Sequence, residues 1–410
     1  MFIFKKLLNK LKNDSLYRNA IWLMAGTFVM SGIGVFYWII ATRLYSPKEI
    51  GLATTFISII SLITGLSMLG FNITLIRFLP NSKEKEKNIN TAFSVVFLAS
   101  LIFGTIFLIA LPDWSDKLLF VRSSIPIVVM LIIFFPLNTL NGLTDSVFIA
   151  MRESKFVFVS NLSQSLTKIL VLVLLSSLGV WGLIGSVMAS AVVAVIICLV
   201  LISYRYKINL KIGIDRKILE KVRSYALGNY ISGFIGTLPT YLLPIIITNR
   251  ISPEQTAYFY IPNMITGLLV MIPSTIARSY LTESSHSDEV LSIKKPIFNT
   301  FQLLFPLIFL IVVLGRFILS IFGKIYAIES YFYLVISSIS ILISVFNYLL
   351  GSRLLVQHQT RKIIIANILG ASSTIIVSFI LIKFGILGIA WAGVISQIIT
   401  CIFYVINYTS

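Results

Sequence analysis

The sequence predicts an all-α, polytopic membrane protein of about 12 transmembrane helices. Three observations predict it. Hydrophobic residues make up 57% of the 410 residues and charged residues only 12%, whereas a soluble domain carries about 25% charged residues. The apolar residues gather into runs close to the ~20 residues that a helix needs to cross the hydrocarbon. A polar break, Ser46-Pro47, recurs as Ser252-Pro253, 206 positions later, and each copy sits between two such runs.

Twelve runs read as spans. The first six are 19–42, 51–78, 91–111, 123–150, 156–178 and 180–204. A polar linker follows at 205–223. The second six are 224–249, 255–281, 297–322, 330–355, 363–382 and 384–407. The chain thus divides into a basic N-terminal segment (1–18), a first six-helix bundle (19–204), a cytoplasmic linker (205–223) and a second six-helix bundle (224–410). Within the N-terminal segment, Phe4, Leu7, Leu8 and Leu11 share one helical face and Lys5, Lys6, Lys10 and Lys12 the other. That pattern suits a helix lying on an anionic leaflet; an ordinary basic tail reads equally well.

Orientation follows from lysine and arginine. With the N-terminus inside, 21 of these residues fall in the N-terminal tail and the inner loops, and seven in the outer loops. This asymmetry places both termini in the cytoplasm. It also disposes of the net charge of +18 as a sign of nucleic acid, because the charge sits in alternate loops.

The 206-residue offset extends beyond the Ser-Pro breaks. It pairs Asn141 with Asn347, Lys155 with Arg361, Asn161 with Asn367, Gly179 with Gly385, Gly182 with Gly388 and Ser190 with Ser396. The reading is two six-helix repeats. Six is even, so both enter the membrane from the same side, as parallel repeats do.

Several function classes find no support. Cys198 and Cys401 lie inside apolar runs, and His286 and His358 are isolated in loops, so neither a metal site nor a disulfide is expected. No GxxxxGK[ST] phosphate loop occurs, and no cofactor is implied. No loop is long enough for a soluble catalytic domain, so the chain does not read as an enzyme.

Candidate site residues are the polar ones inside spans. Lys168 lies near the middle of the fifth span, where a charge costs about 2.5–3.5 kcal/mol on insertion scales. It reads as a contact for an anionic substrate or as a lysine bonded to neighbouring helices, for example through Gln164. Arg77 and Arg278 lie toward the inner ends of the second and eighth spans, and either lines a lumen or snorkels to the interface. Asp145, near the inner end of the fourth span, is an ion-binding carboxylate or a partner of Arg152. Asn72, Gln164 and Asn263 could bind sugar hydroxyls, although such amides also join helices. Trp22, Trp38, Tyr241 and Trp391 are rings that could stack on sugars or form an interfacial belt. Pro239, Pro244, Pro262 and Pro273 fall in the seventh and eighth spans and suggest a bent gate in the second half.

The segment Arg43-x-x-Ser46-Pro47-x-x-Ile50-Gly51, followed by Leu69-Gly70-Phe71-Asn72-Ile73-Thr74-Leu75-Ile76-Arg77-Phe78, resembles the opening of polysaccharide and oligosaccharide flippases. These belong to the multidrug/oligosaccharidyl-lipid/polysaccharide transporter superfamily, which also holds the multidrug and toxin extruders. Arg152-x-x-Lys155 through Asn161 to Gly179-x-x-Gly182 is similar to the family's fifth and sixth spans. The resemblance implies a flippase that carries a polyprenyl-phosphate- or pyrophosphate-linked oligosaccharide from the inner to the outer leaflet by alternating access. It implies a cationic cavity, with Lys168, Arg77 and Arg278 as its cations, and Asn72, Gln164, Asn263 and Asp145 as secondary polar residues. It also implies a monomer in the cell membrane, working beside glycan assembly enzymes. The alternative is an ion-coupled multidrug or metabolite exporter of the same fold.

Overall fold

The structure is a computed structural model and describes residues 15–285 and 291–408. The proposed interfacial helix at 1–12 and His286 lie outside the described residues. The described residues are mostly helical, with no strand among them.

Fourteen α-helices are described: α1 (Ser15–Leu44), α2 (Pro47–Met68), α3 (Phe71–Phe78), α4 (Lys85–Trp114), α5 (Ile125–Ala150), α6 (Lys155–Leu174), α7 (Val180–Tyr206), α8 (Arg216–Arg250), α9 (Pro253–Ser285), α10 (Lys294–Ser320), α11 (Lys324–Glu329), α12 (Tyr331–Val356), α13 (Thr360–Leu381) and α14 (Gly385–Tyr408). All but α3 and α11 are 20 residues or longer, which leaves twelve long helices among the described residues. Ten stretches are long and apolar enough to cross a membrane, and one of them, Thr360–Asn407, holds both α13 and α14. Helix α1 contributes the shorter apolar part Val29–Leu44. The chain is a multi-pass membrane protein.

The repeat is written in the backbone. Helix α5 spans Ile125–Ala150 and α12 spans Tyr331–Val356, both ends shifted by 206. The short 3-10 turns Ser176–Leu178 and Ile382–Phe384 keep the same offset. So do the turn residues: Arg152 and His358 both have φ 57°, and Gly179 (φ 57°, ψ −134°) matches Gly385 (φ 65°, ψ −150°).

The Ser-Pro breaks are helix starts. Ser46 Oγ and backbone N–H both donate to Glu49 Oε2 at 2.8 Å, and Glu49 N–H points back at Ser46 Oγ at 3.4 Å. This is a capping box with proline at the first helical position, where its missing N–H costs nothing. In the second copy the Gln255 N–H donates to Ser252 Oγ at 3.2 Å. Arg43 reaches the C-terminal end of α10, donating to the Ile321 carbonyl at 2.9 Å.

One predicted span is corrected. The run 51–78 is not a single helix. It breaks between α2 and α3, where Leu69 (φ 47°) and Gly70 (φ 82°) are both left-handed. Two such residues in succession reverse the local twist and end the helix. The polar stretch after the sixth span also has structure. Asn90 Nδ2 donates to the Asn209 carbonyl at 2.9 Å, Gly213 N–H to Ser94 Oγ at 3.0 Å and Asp215 N–H to Thr91 Oγ1 at 3.1 Å. Asp215 then caps α8 by accepting from the Lys217 N–H at 2.9 Å.

The chain forms two compact units. One comprises the described residues up to Tyr37 together with Ile59–Ile231; the other comprises Trp38–Ser58 and Ser232–Ser410. In the first unit, Phe71, Leu75, Leu143, Val147, Phe148 and Cys198 are buried in one cluster. Helices in lipid associate by close packing and interhelical hydrogen bonds rather than by the hydrophobic effect. Accordingly, Tyr37 is bonded to Ser186 at 2.9 Å and Ser100 to Thr139 at 2.9 Å.

Candidate functional site

In the second unit, α8, α9, α12, α13 and α14 wall a cavity of about 770 Å³, within the ~300–1,000 Å³ of small-molecule pockets. Its lining is rich in hydroxyls and amides: Thr240, Thr266, Ser337, Ser340, Ser344 and Thr400 beside Asn263, Asn347, Asn367 and Gln397. Phe259, Tyr260, Tyr333, Tyr348 and Tyr404 supply ring faces. Among the described residues, none of the side chains lining the cavity is charged.

The sequence builds this cavity in three ways. Pro239 and Pro244 lie within α8, and each removes a hydrogen bond to the carbonyl four residues earlier. Pro244 thereby frees the carbonyl of Thr240, a wall residue. Glycines leave room, and an added Cβ at Gly267 or Gly393 would meet nothing within 4 Å. The polar side chains also hold one another in place. Asn263 Nδ2 donates to the Phe259 carbonyl at 2.7 Å and to the Tyr333 hydroxyl at 2.9 Å. Asn347 Nδ2 donates to Gln397, while Asn367 Nδ2 donates to Ser232 Oγ at 3.2 Å. The Asn347 Oδ1 acceptor is buried without a hydrogen-bond partner.

Of the predicted polar site residues Asn263 lines this cavity, and Pro239 and Pro244 of the predicted bent helix line it too. Arg278 is exposed on α9 and lies outside the lining. Lys168 belongs to the first unit, half-buried on α6, with its Nζ 4.0 Å from the centre of the Tyr37 ring. A ring face so placed offsets part of the cost of a charge in the membrane. Gln164 is half-buried one turn before Lys168 on the same helix face. Arg77 is exposed on the short helix α3, its guanidinium carbon 5.6 Å from the Phe78 ring centre.

Asn72 and Asp145 each keep a buried Oδ1 without a hydrogen-bond partner. Helices α2 and α5 run in register, since Asn138 Nδ2 donates to Thr64 Oγ1 at 3.0 Å and the Met68 tip lies against Gly142.

Sequence reasoning passed over most of the cavity. Trp22, Trp38, Tyr241 and Trp391 do not line it; the rings that do are one phenylalanine and four tyrosines. Trp38 is instead buried against Tyr260, ring centres 4.9 Å apart. Tyr37, the ring beneath Lys168, was also missed. The available signal was the density of serine, threonine and glycine in the tenth to twelfth spans.

Comparisons with known proteins agree with this architecture. The family profile described as "Polysaccharide biosynthesis protein" matches residues 16–282. No curated protein sequence matches the chain. Among solved structures, the lipid II flippase MurJ in an inward closed conformation superposes with a TM-score of 0.77 at 14% identity, covering 95% of this chain and 88% of that one. An inward-facing multidrug resistance MATE family transporter of the MOP superfamily gives 0.68 at 14% identity, covering 95% and 96%. A MOP superfamily transporter from Pyrococcus furiosus, described as having a binding pocket of reverse polarity, gives 0.62 at 15% identity, covering 96% and 95%. At these identities the likeness is one of fold.

Proposed function

The chain belongs to the polysaccharide biosynthesis protein family, and from that premise we propose that it is a transporter rather than an enzyme. Its cargo is a polyprenyl-phosphate- or pyrophosphate-linked oligosaccharide, which it flips from the inner to the outer leaflet of the cell membrane. The observation that carries this reading is the uncharged, hydroxyl-rich and tyrosine-rich cavity. A lipid-linked glycan has two demands: many hydroxyls to satisfy and a phosphate to neutralise. Arg278, Lys168 and Arg77 are the cations for the phosphate, and a guanidinium suits phosphate because it offers paired donors. The lipid tail stays in the bilayer. Both termini are cytoplasmic in this reading, the protein works as a monomer, and glycan assembly enzymes supply its substrate.

The test is flipping in reconstituted vesicles, followed with a fluorescent polyprenyl-pyrophosphate oligosaccharide, for wild type, Lys168→Ala and Arg278→Ala. Wild type moves the lipid and both variants slow it about tenfold, which corresponds to ~1.4 kcal/mol of lost stabilisation. A wild type that moves no glycolipid overturns the reading. Unchanged variants overturn the assignment of the cations alone.

A second reading is an ion-coupled exporter. The observation in its favour is Asp145, whose buried Oδ1 has no hydrogen-bond partner, since carboxylates held inside membrane helices commonly serve ion pathways. Uptake of an organic cation against a sodium or proton gradient, abolished in Asp145→Asn, would favour it over flipping.

A further inference from the structure

The two charged residues that the first repeat holds within its fifth and fourth spans have uncharged counterparts in the second. At the 206-residue offset, Lys168 corresponds to Thr374 and Asp145 to Gly351. Both counterparts line the cavity of the second unit. The Thr374 hydroxyl lies 2.7 Å from both Ser396 Oγ and the Gly370 carbonyl, either of which can accept its one proton. Gly351 leaves space in front of the Tyr404 hydroxyl, which an added Cβ would approach to 3.2 Å. The repeats have therefore diverged in charge at these two places: the second keeps a polar lining there, and α12 instead carries Arg353, next to the lining residue Ser352 in sequence but outside the lining.

We propose that this cavity is the glycan subsite and that it selects uncharged sugars over acidic ones. The inference rests on the flippase reading above and names the class of head group. Sugar hydroxyls both donate and accept, and they need partners that do the same; serine, threonine and tyrosine hydroxyls and side-chain amides qualify. The buried Asn347 Oδ1 still lacks a donor, and a sugar hydroxyl supplies one. Tyrosine faces cover the apolar faces of the sugar rings. A uronate or phosphate substituent would lose its hydration on entry and find no countercharge among the lining side chains, a strongly unfavourable exchange. The cation outside the lining, Arg278, leaves the phosphate of the lipid carrier a separate place.

Binding of free oligosaccharides to the purified full-length protein in detergent tests this independently of flipping. The probe is an array of neutral and uronate-containing oligosaccharides. Wild type is expected to retain neutral glycans at least tenfold better than acidic ones. Gly393→Leu, which projects a side chain into open space, should abolish retention, whereas Thr374→Ser should preserve it. Thr374→Lys, which restores the charge of the first repeat, should weaken neutral binding and raise acidic binding. Equal retention of both classes by wild type, no retention of any glycan, or full retention by a folded Gly393→Leu would each overturn the proposal. If binding fails while vesicles still flip a glycolipid, the subsite is wrong and the transport reading stands. If neutral glycans bind but no glycolipid is moved, the transport reading fails and the subsite stands.

Discussion

Gly51 lies against the backbone of Pro253: an added Cβ would sit 1.6 Å from the Pro253 carbonyl oxygen and 2.4 Å from its carbonyl carbon. The second turn of α2 and the first residue of its repeat-equivalent helix α9 therefore meet at a contact that only a hydrogen can occupy. Around it, Thr55 is bonded to Thr248 and Thr248 to Thr256 at 2.7 Å, so the crossing is held by hydroxyls as well as by close approach. Backbone cannot swing aside as a side chain does. Gly51→Ala is therefore expected to destabilise the protein by at least the ~1–3 kcal/mol typical of overpacking. Thermal unfolding in detergent checks this against Gly233→Ala. That glycine has nothing within 4 Å of its added Cβ, and its replacement should be neutral or slightly stabilising.

The paired turns give a second prediction. Arg152 and His358 occupy equivalent positions, both exposed and both left-handed at φ 57°. A side chain there costs ~1–2 kcal/mol, of which glycine's extra freedom in the unfolded chain takes back ~0.5–1 kcal/mol. Arg152→Gly and His358→Gly should each raise the unfolding midpoint slightly and by similar amounts. Gly179→Ala and Gly385→Ala should lower it, since their φ,ψ pairs lie in a region reserved for glycine. Opposite signs within the first pair or within the second would mean that the repeats do not share these turns energetically.

These turns also show what the sequence can and cannot convey. The twelve long helices were legible because uninterrupted apolarity at spanning length has few other solutions in lipid. The repeat was legible because Ser46-Pro47 opens a helix and Gly179 and Gly385 fill a backbone position that few residues tolerate. The break at Leu69–Gly70 was not legible: leucine is a good helix former, and only the surrounding packing holds it left-handed. The cavity was hidden for a different reason. Hydroxyls such as Ser337, Ser340 and Ser344 bond to carbonyls three or four residues back on their own helix, so they look alike in sequence whether they face a neighbouring helix or a void.

Glu153 gives a prediction in pH. It sits in the turn between α5 and α6, accepting from Arg205 at 3.0 Å and from the Tyr206 hydroxyl at 2.7 Å. Burial pushes its carboxyl up, but the bonds from Tyr206 and Arg205 and the charges of Arg205 and Lys155 outweigh burial and hold it below the ordinary 4.5. A carboxylate with a depressed folded pKa contributes stability that is fully present above its unfolded pKa. That contribution is lost as pH falls below about 4.5 and through the lower folded value. Glu153→Gln should therefore be less stable than wild type at pH 7, and the difference should shrink as the pH is lowered toward 4. Thermal unfolding across pH 4–8 measures it, and a difference independent of pH would assign the effect to packing.

Lys168 and Tyr37 can be separated by two substitutions at one position. Tyr37→Phe removes the hydroxyl bonded to Ser186 at 2.9 Å but keeps the ring 4.0 Å beneath the ammonium. Tyr37→Leu removes both. A cation over an aromatic face is worth ~0.5–2 kcal/mol, more where water is excluded. If Lys168 holds a substrate phosphate, Tyr37 acts as a positioning residue. Tyr37→Leu should then slow flipping about tenfold and raise the glycolipid concentration needed for half-maximal rate. Tyr37→Phe should cost some stability with flipping close to wild type. Lys168→Met, which keeps the length of the stem without the charge, should match Tyr37→Leu in flipping, and combining the two should add little, because both remove one interaction. If Lys168 serves packing alone, Lys168→Met would be at least as stable as wild type and would flip normally, since no ion would remain to be desolvated.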